Sequence, residues 1–361
     1  MRIFRCDHCG NALFFENVQC LRCGASLAFL PDRMDLCSIE PAADRPQAEG
    51  LWQRKTPRPL RRAGGATRWR LCSNHAWAQA CNFAVPEHDT NPLCVSCRQT
   101  RILPDLSIPE NRGRWYRIEV AKRRLFFTLA RLGLVSVDPP AGQAQGPSFE
   151  FLADLPGRQV FTGHANGVIT LNVAEADDDE RVRRRIALHE PYRTLLGHVR
   201  HESGHYYWPI LVGNAGRVDA FRALFGDERA DYGQALSRHY GGAGQPANWQ
   251  DRYVSAYATA HPWEDWAETW AHYLHMVDLL ETAASYSTRV EVPGQGHAEE
   301  MDDPFEGGQT DFDELVAQWV PLTLLVNSLT RSLGQDDAYP FALSQGAIEK
   351  LRFAHDVIQA G

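Results

Sequence analysis

All nine cysteines of this 361-residue chain lie within its first 97 positions. That segregation constrains the fold more than any other feature. Cys6-Asp-His-Cys9 and Cys20-Leu-Arg-Cys23 form two C-x2-C pairs separated by ten residues. A C-x2-C turn aims two thiolates at one point, and two such turns complete a closed tetrahedral site of the kind that holds a structural zinc ion. Gly10 and Gly24 follow the two pairs, where glycine lets the chain reverse behind the metal. Clustered pairs in a chain whose first residues, Met1-Arg2-Ile3-Phe4-Arg5-Cys6, show no apolar leader point to metal binding rather than disulfides. The cytoplasm is the expected compartment.

Cys72, Cys81, Cys94 and Cys97 form a second set, in which only Cys94-Val-Ser-Cys97 is a clean C-x2-C. A second four-cysteine zinc module is expected there, with His75 and His88 as possible substitutes. Cys37 is left over and reads as a buried small hydrophobe or a free thiol. Between the two sets, Arg54, Lys55, Arg58, Arg61, Arg62, Arg68 and Arg70 run without an intervening acid, interleaved with Trp52 and Trp69. This segment reads as a solvated linker or long ribbon loop, with contact to nucleic acid or protein as the rival. Residues 1–100 carry 13 Lys/Arg against 9 Asp/Glu, +4 within a chain of net charge −8, so the remainder carries −12. A polyanion partner for the whole protein is therefore disfavoured. The longest apolar stretches are broken by Arg, Asp or Gly, and none reaches bilayer-spanning length.

Beyond the cysteines the pattern turns helical. Trp115, Ile118, Leu125, Leu129 and Leu132 mark an amphipathic helix over 113–133 capped by Gly133. A Pro-, Gly- and Gln-rich loop (139–147) follows, then a strand over 167–173, which is either an exposed edge able to pair with an extended peptide or an interior strand. Phe312, Leu315, Trp319, Leu322 and Val326 stripe a core helix over 311–331, and 344–358 reads as another. The stretch 289–310 reads as a loop or disordered, and 209–256 carries no clear motif.

The chemistry concentrates at His201-Glu202-Ser203-Gly204-His205. On a helix entered at Pro191, with Tyr192, Leu195, Leu196 and Val199 on the apolar side, imidazoles four residues apart emerge on one face and can share an ion. Glu202 then stands beside that ion as general base, and Gly204 leaves space there. No third ligand follows directly, because the next residues are Tyr-Tyr-Trp-Pro. A second helix starting at Pro262 offers Glu264, Glu268 and His272 at i, i+4 and i+8, one of them the ligand and the others supporting it. Tyr257, just before that helix, can donate to a developing oxyanion.

His201-Glu-Ser-Gly-His205 with Tyr257, six residues, Glu264 and then Asp-Trp-Ala-Glu268 resembles the gluzincin pattern of the anthrax lethal factor group. The resemblance implies Glu264 as third zinc ligand, Glu268 as the carboxylate behind a ligand histidine, and Tyr257 as the oxyanion-stabilising phenol. Over nearly the whole chain, the N-terminal ribbon, Cys94-Val-Ser-Cys97-Arg with Ile102-Leu-Pro-Asp-Leu-Ser107, and His261-Pro-Trp-Glu-Asp-Trp-Ala-Glu-Thr-Trp270 resemble a bacterial family of zinc-binding metallopeptidases with an N-terminal zinc ribbon.

The expected fold class is thus α+β. It comprises a zinc ribbon over 1–40, a basic linker or ribbon loop over 41–70, a second four-cysteine zinc module over 71–100, and a mostly helical metallopeptidase domain with a small sheet over 101–361. The expected function is peptide-bond hydrolysis by a zinc-activated water. The expected cofactors are one catalytic zinc (His201, His205, Glu264) and one or two structural zincs (Cys6, Cys9, Cys20, Cys23; Cys72, Cys81, Cys94, Cys97). The rivals are a zinc-ribbon adaptor for protein or nucleic acid built on a non-catalytic scaffold, and an amide hydrolase acting on a non-protein substrate.

Overall fold

The computed structural model describes all residues except 44–49, 56–65, 140–145, 188–193, 244–245, 295 and 309. The chain divides into two compact units: Met1–Thr162 with Thr170–Ala176, and Gly163–Ile169 with Asp177–Gly361.

The first unit is strand-rich. Short strands β1 (Phe4–Arg5) and β2 (Ala12–Leu13) pair as a hairpin across the first cysteine knuckle. Strands β3 (Ser26–Leu30), β4 (Asp35–Pro41), β5 (Leu51–Arg54) and β6 (Arg68–Leu71), then α1 (Ser73–Ala78) and β7 (Ala84–Pro86), follow. The five strands β3 to β7 form one antiparallel sheet in chain order. The segments 1–40, 41–70 and 71–100 therefore share a sheet, and β5 and most of β6 run inside the segment expected as a basic linker or ribbon loop. Trp52 and Trp69, directly opposite in that pair, account for this: aromatic cross-strand partners stabilise a ladder that the arginines beside them disguise as a solvated run.

Within the unit, α2 (Pro109–Arg131), the helix expected over 113–133, packs through Phe127 edge-to-face on Phe4, Phe15 and Phe29, with Phe83 edge-to-face on Phe15. Strand β8 (Thr100–Ile102) pairs in parallel with β9 (Ser148–Leu152). Cys37 is buried in the sheet core with Ile39, Leu30 and Trp69, which pushes its thiol pKa up and leaves it an inert apolar residue.

The second unit begins with β10 (Gly163–Ala165), which pairs with β11 (Val168–Asn172) around Asn166-Gly167. Strand β11, the one expected over 167–173, has Val168 and Ile169 in this unit and Thr170–Asn172 in the first, and it is interior in the strand order β10-β11-β9-β8, of which β10 is one edge. Helices α3 (Asp178–Ala187), α4 (Leu195–Trp208), α5 (Val218–Phe225), α6 (Tyr232–Arg238) and α7 (Pro262–Ser285) follow. Pro191 and Tyr192 lie outside the described residues, and α4 starts at Leu195 with Thr194 as its cap: the Thr194 hydroxyl accepts from the Gly197 N–H at 2.9 Å. Strands β12 (Arg289–Glu291) and β13 (Ala298–Glu300) form a hairpin where a loop or disorder was expected. Its polar sequence hides the strands, and Val290 alone turns into the core. Helices α8 (Phe312–Ser332) and α9 (Gln345–Gln359) complete the unit. No helix among the described residues is long and apolar enough to cross a membrane.

Candidate metal centres

Helices α4 and α7 cross at close range. A Cβ built on Gly204 would meet the Ala267 Cα at 3.0 Å and the Trp270 Cδ1 at 3.1 Å. Gly204 therefore admits the backbone of α7 rather than leaving space beside an ion. Tryptophans lock the crossing: Trp266 Nε1 donates to the Gly204 carbonyl at 2.8 Å, and Trp270 Nε1 donates to Ser203 Oγ at 2.9 Å. Both rings are fully buried. The crossing brings the first turns of α7 against the histidine face of α4.

There the donor atoms of His201, His205 and Glu264 all lie within 4.8 Å of one another. His201 Nε2 is 3.0 Å from Glu264 Oε2 and 3.3 Å from His205 Nε2, which is 3.5 Å from Glu264 Oε1. Bonds of about 2.0–2.1 Å to a tetrahedral zinc place its donors roughly 3.3–3.4 Å apart, so two imidazole nitrogens and a buried carboxylate fit that ion. Behind them, His201 Nδ1 meets Glu268 Oε1 at 2.7 Å, and Ser255 Oγ donates to Glu268 Oε2 at 2.6 Å. The chain Ser255–Glu268–His201 fixes the imidazole so that Nε2 faces the other donors. His272, the third candidate on that face, bonds instead to the Tyr339 hydroxyl at 2.6 Å and is not among the clustered donors.

The electrostatics follow from burial. Burial would lower the His201 pKa, but Glu264 and Glu268 override it and hold it well above the ordinary value. Burial likewise raises Glu264 and Glu268. The facing His205 and His201 more than offset this, holding Glu264 well below the carboxylate range and Glu268 at about 2. Glu202 differs: burial raises its pKa, and its carboxylate makes no hydrogen bond or ion pair with the described residues.

Tyr257 and Tyr232 bring aromatic hydroxyls to the site. The Tyr257 ring lies 5.8 Å from that of His201 and 5.7 Å from that of His239, and its hydroxyl bonds to no described residue. Tyr232, which sequence reading did not single out, donates to Glu264 Oε1 at 2.6 Å. His164 of β10 was missed as well; its ring stacks on His205 at 6.4 Å. Neither belongs to a local motif, and Tyr232 lies 32 residues from the carboxylate it touches.

Two further clusters lie in the first unit. Cys6, Cys9, Cys20 and Cys23 converge, as do Cys72, Cys81, Cys94 and Cys97. Their Sγ separations of 3.9 Å (Cys6–Cys23), 3.6 Å (Cys9–Cys20) and 3.7 Å (Cys81–Cys94) match the roughly 3.8 Å expected for thiolates about 2.3 Å from a tetrahedral zinc. Gly10 and Gly24 take positive φ of 77° and 70° and donate their N–H groups to the Cys6 and Cys20 carbonyls, closing each knuckle. His75 Nδ1 meets the Cys81 carbonyl at 2.8 Å and His88 sits beside Asp138, so neither enters the second cluster. Of the basic run, Arg58, Arg61 and Arg62 lie outside the described residues. Arg54 pairs with Asp7 at 3.2 Å, and Arg70 donates to the Glu87 and Asp89 carbonyls.

A family model described as "putative zinc-binding metallo-peptidase" matches residues 111–357, and a zinc-ribbon domain model matches residues 3–108. Among curated proteins, uncharacterized proteins of Mycobacterium tuberculosis and Mycobacterium bovis are each 42% identical over 359 residues, covering 99% of this chain and 95% of the relative. No solved structure matches the chain.

Proposed function

The chain belongs to the family described as putative zinc-binding metallo-peptidases, with a zinc-ribbon domain at its N-terminal side, and from that premise we propose that it is a gluzincin-type peptidase. In this reading His201, His205 and Glu264 hold one catalytic zinc, and the two four-cysteine clusters hold one structural zinc each. The substrate is a protein or peptide, and the compartment is the cytoplasm.

The observation that carries the reading is a contrast between carboxylates. Glu264 and Glu268 are hydrogen-bonded by the histidines, whereas Glu202, buried beside them, accepts no hydrogen bond from the described residues and has its pKa raised by burial. That is the state a general base needs. His201, His205 and Glu264 would hold a zinc ion, whose Lewis acidity would polarise the scissile carbonyl and acidify water. Glu202 accepts a proton as the water oxygen attacks the carbonyl carbon, then delivers it to the amine nitrogen as the C–N bond breaks. Tyr257, whose hydroxyl is free to donate, stabilises the negative charge growing on the carbonyl oxygen. Ser255 and Glu268 hold the His201 ring in place throughout. The outer edge of β10 pairs with no strand among the described residues and offers an extended substrate backbone a place to add. Its His164 lies against His205, next to the chemistry.

Counting metal tests the assignment. The wild-type chain is expected to carry three zinc ions and to cleave peptides; His205→Ala is expected to carry two and to cleave none. A His205→Ala protein that retained three zincs would remove this ligand set.

A further inference from the structure

Tyr232 is held over the first turn of α7 by several independent contacts. The loop before it is clamped by Arg222, which donates to both Glu228 oxygens at 2.9 and 2.6 Å. Asp231 caps α6 by accepting from the Gln234 N–H at 2.8 Å. His261, the cap of α7, accepts from the Trp263 N–H at its Nδ1 and uses Nε2 to donate to the Ala230 carbonyl at 3.0 Å. The residue that starts the Glu264 helix thereby also fixes the chain two positions before Tyr232. The Tyr232 ring rests edge-on to His261 at 5.2 Å, and its hydroxyl reaches Glu264 Oε1. A phenol donating at 2.6 Å to a carboxylate makes a short, charge-assisted bond.

The two Glu264 oxygens are therefore not equivalent: Oε2 faces His201 Nε2 at 3.0 Å with no second partner among the described residues, while Oε1, 3.5 Å from His205 Nε2, also accepts the shorter bond from the Tyr232 hydroxyl at 2.6 Å. We propose that Tyr232 is a positioning residue that keeps Glu264 a one-oxygen donor to the catalytic metal, preserving a coordination position for water. This rests on the reading of His201, His205 and Glu264 as ligands of that metal. Without the phenol, Oε1 is free to turn toward the ion, and a carboxylate that binds through both oxygens competes with water for the open position. Tyr232 and Tyr257 thus divide the work: one is committed to a ligand, the other is free to meet the substrate.

The test uses the full chain with the two four-cysteine sites left loaded with zinc and the catalytic metal exchanged for cobalt(II). The visible band of cobalt is intense in four-coordinate sites and weak in five-coordinate ones. In Tyr232→Phe the band is expected to fall several-fold, and kcat to fall by roughly tenfold with KM nearly unchanged, the scale of losing a support to a metal ligand. Tyr257→Phe, by contrast, is expected to keep the wild-type band. Far-UV circular dichroism confirms that the variants are folded. A Tyr232→Phe band and kcat equal to wild type, in a protein that binds cobalt and loses cleavage on Glu202→Gln, overturns the Tyr232 assignment alone. A wild-type chain that takes up no cobalt outside the four-cysteine sites overturns both it and the ligand reading beneath it.

Discussion

Gly204→Ala separates two explanations of the glycine inside the histidine motif. The added Cβ would stand 3.0 Å from the Ala267 Cα, 3.1 Å from the Trp270 Cδ1 and 3.2 Å from the Trp270 Cβ. Carbon atoms at rest sit about 3.5–4.0 Å apart, so α4 and α7 must part by roughly 0.5 Å. The atoms in the way are backbone and the root of a buried indole that donates to Ser203, so neither can swing aside. Overpacking of this kind costs about 1–3 kcal/mol, and alanine returns about 1 kcal/mol as a better helix former. The immobile neighbours favour the upper part of the range, giving a net loss of about 1–2 kcal/mol. For a unit of this size that is a fall of roughly 2–8 °C in Tm. Glu264 and Glu268 flank Ala267 on α7, so the same displacement carries the proposed ligand Glu264 and the Glu268 carboxylate that meets His201 away from His201 and His205. Zinc affinity at this site should drop by about tenfold, consistent with the steep dependence of site function on sub-ångström placement. Scanning calorimetry with and without chelator, followed by metal analysis, measures both effects. An unchanged or raised Tm would refute the close-crossing argument, since a glycine that merely cleared room beside an ion would give up helix propensity and nothing else.

Ser255→Ala removes the hydroxyl that fixes the outer oxygen of Glu268, and zinc affinity measured by chelator competition is expected to fall by about tenfold, with the zincs of the four-cysteine sites unaffected. Cys94→Ser alters a fully buried thiol of the second cluster, and zinc content is expected to fall by one per chain with loss of cooperative unfolding in the first unit. Retention of all metal in that variant would remove Cys94 as a ligand.

How much of this was legible in the sequence depends on how local each signal is. His201 and His205 share a helix face by geometry alone, and each C-x2-C pair is a turn closed within a few residues, so these could be read directly. Glu264 and Glu268 were legible because they sit one turn apart on a helix announced by Pro262. The Cys72–Cys81 half of the second cluster was harder, because α1 intervenes and the thiols meet only through the fold. Tyr232, Ser255 and His164 reach the site from a loop-held helix, a loop and a strand edge, and no periodicity records such contacts. Gly204 was noticed but misread, since a glycine beside a ligand does not reveal whether the nearby backbone or an ion needs the room. The β5–β6 pair was hidden by its arginines, whose charges are absorbed by Asp7 and by backbone carbonyls. In each case the missing information is the position of a partner distant in sequence.

The proposed function turns on proton transfer by Glu202 at a zinc site held by His201, His205 and Glu264. Incubating a peptide library of proteome composition with the zinc-loaded wild-type chain and with Glu202→Gln, then counting new N-termini by mass spectrometry, tests it most directly. New termini are expected with the wild type and none above background with Glu202→Gln, both proteins holding three zincs. Equal cleavage by the two fully loaded proteins would contradict it.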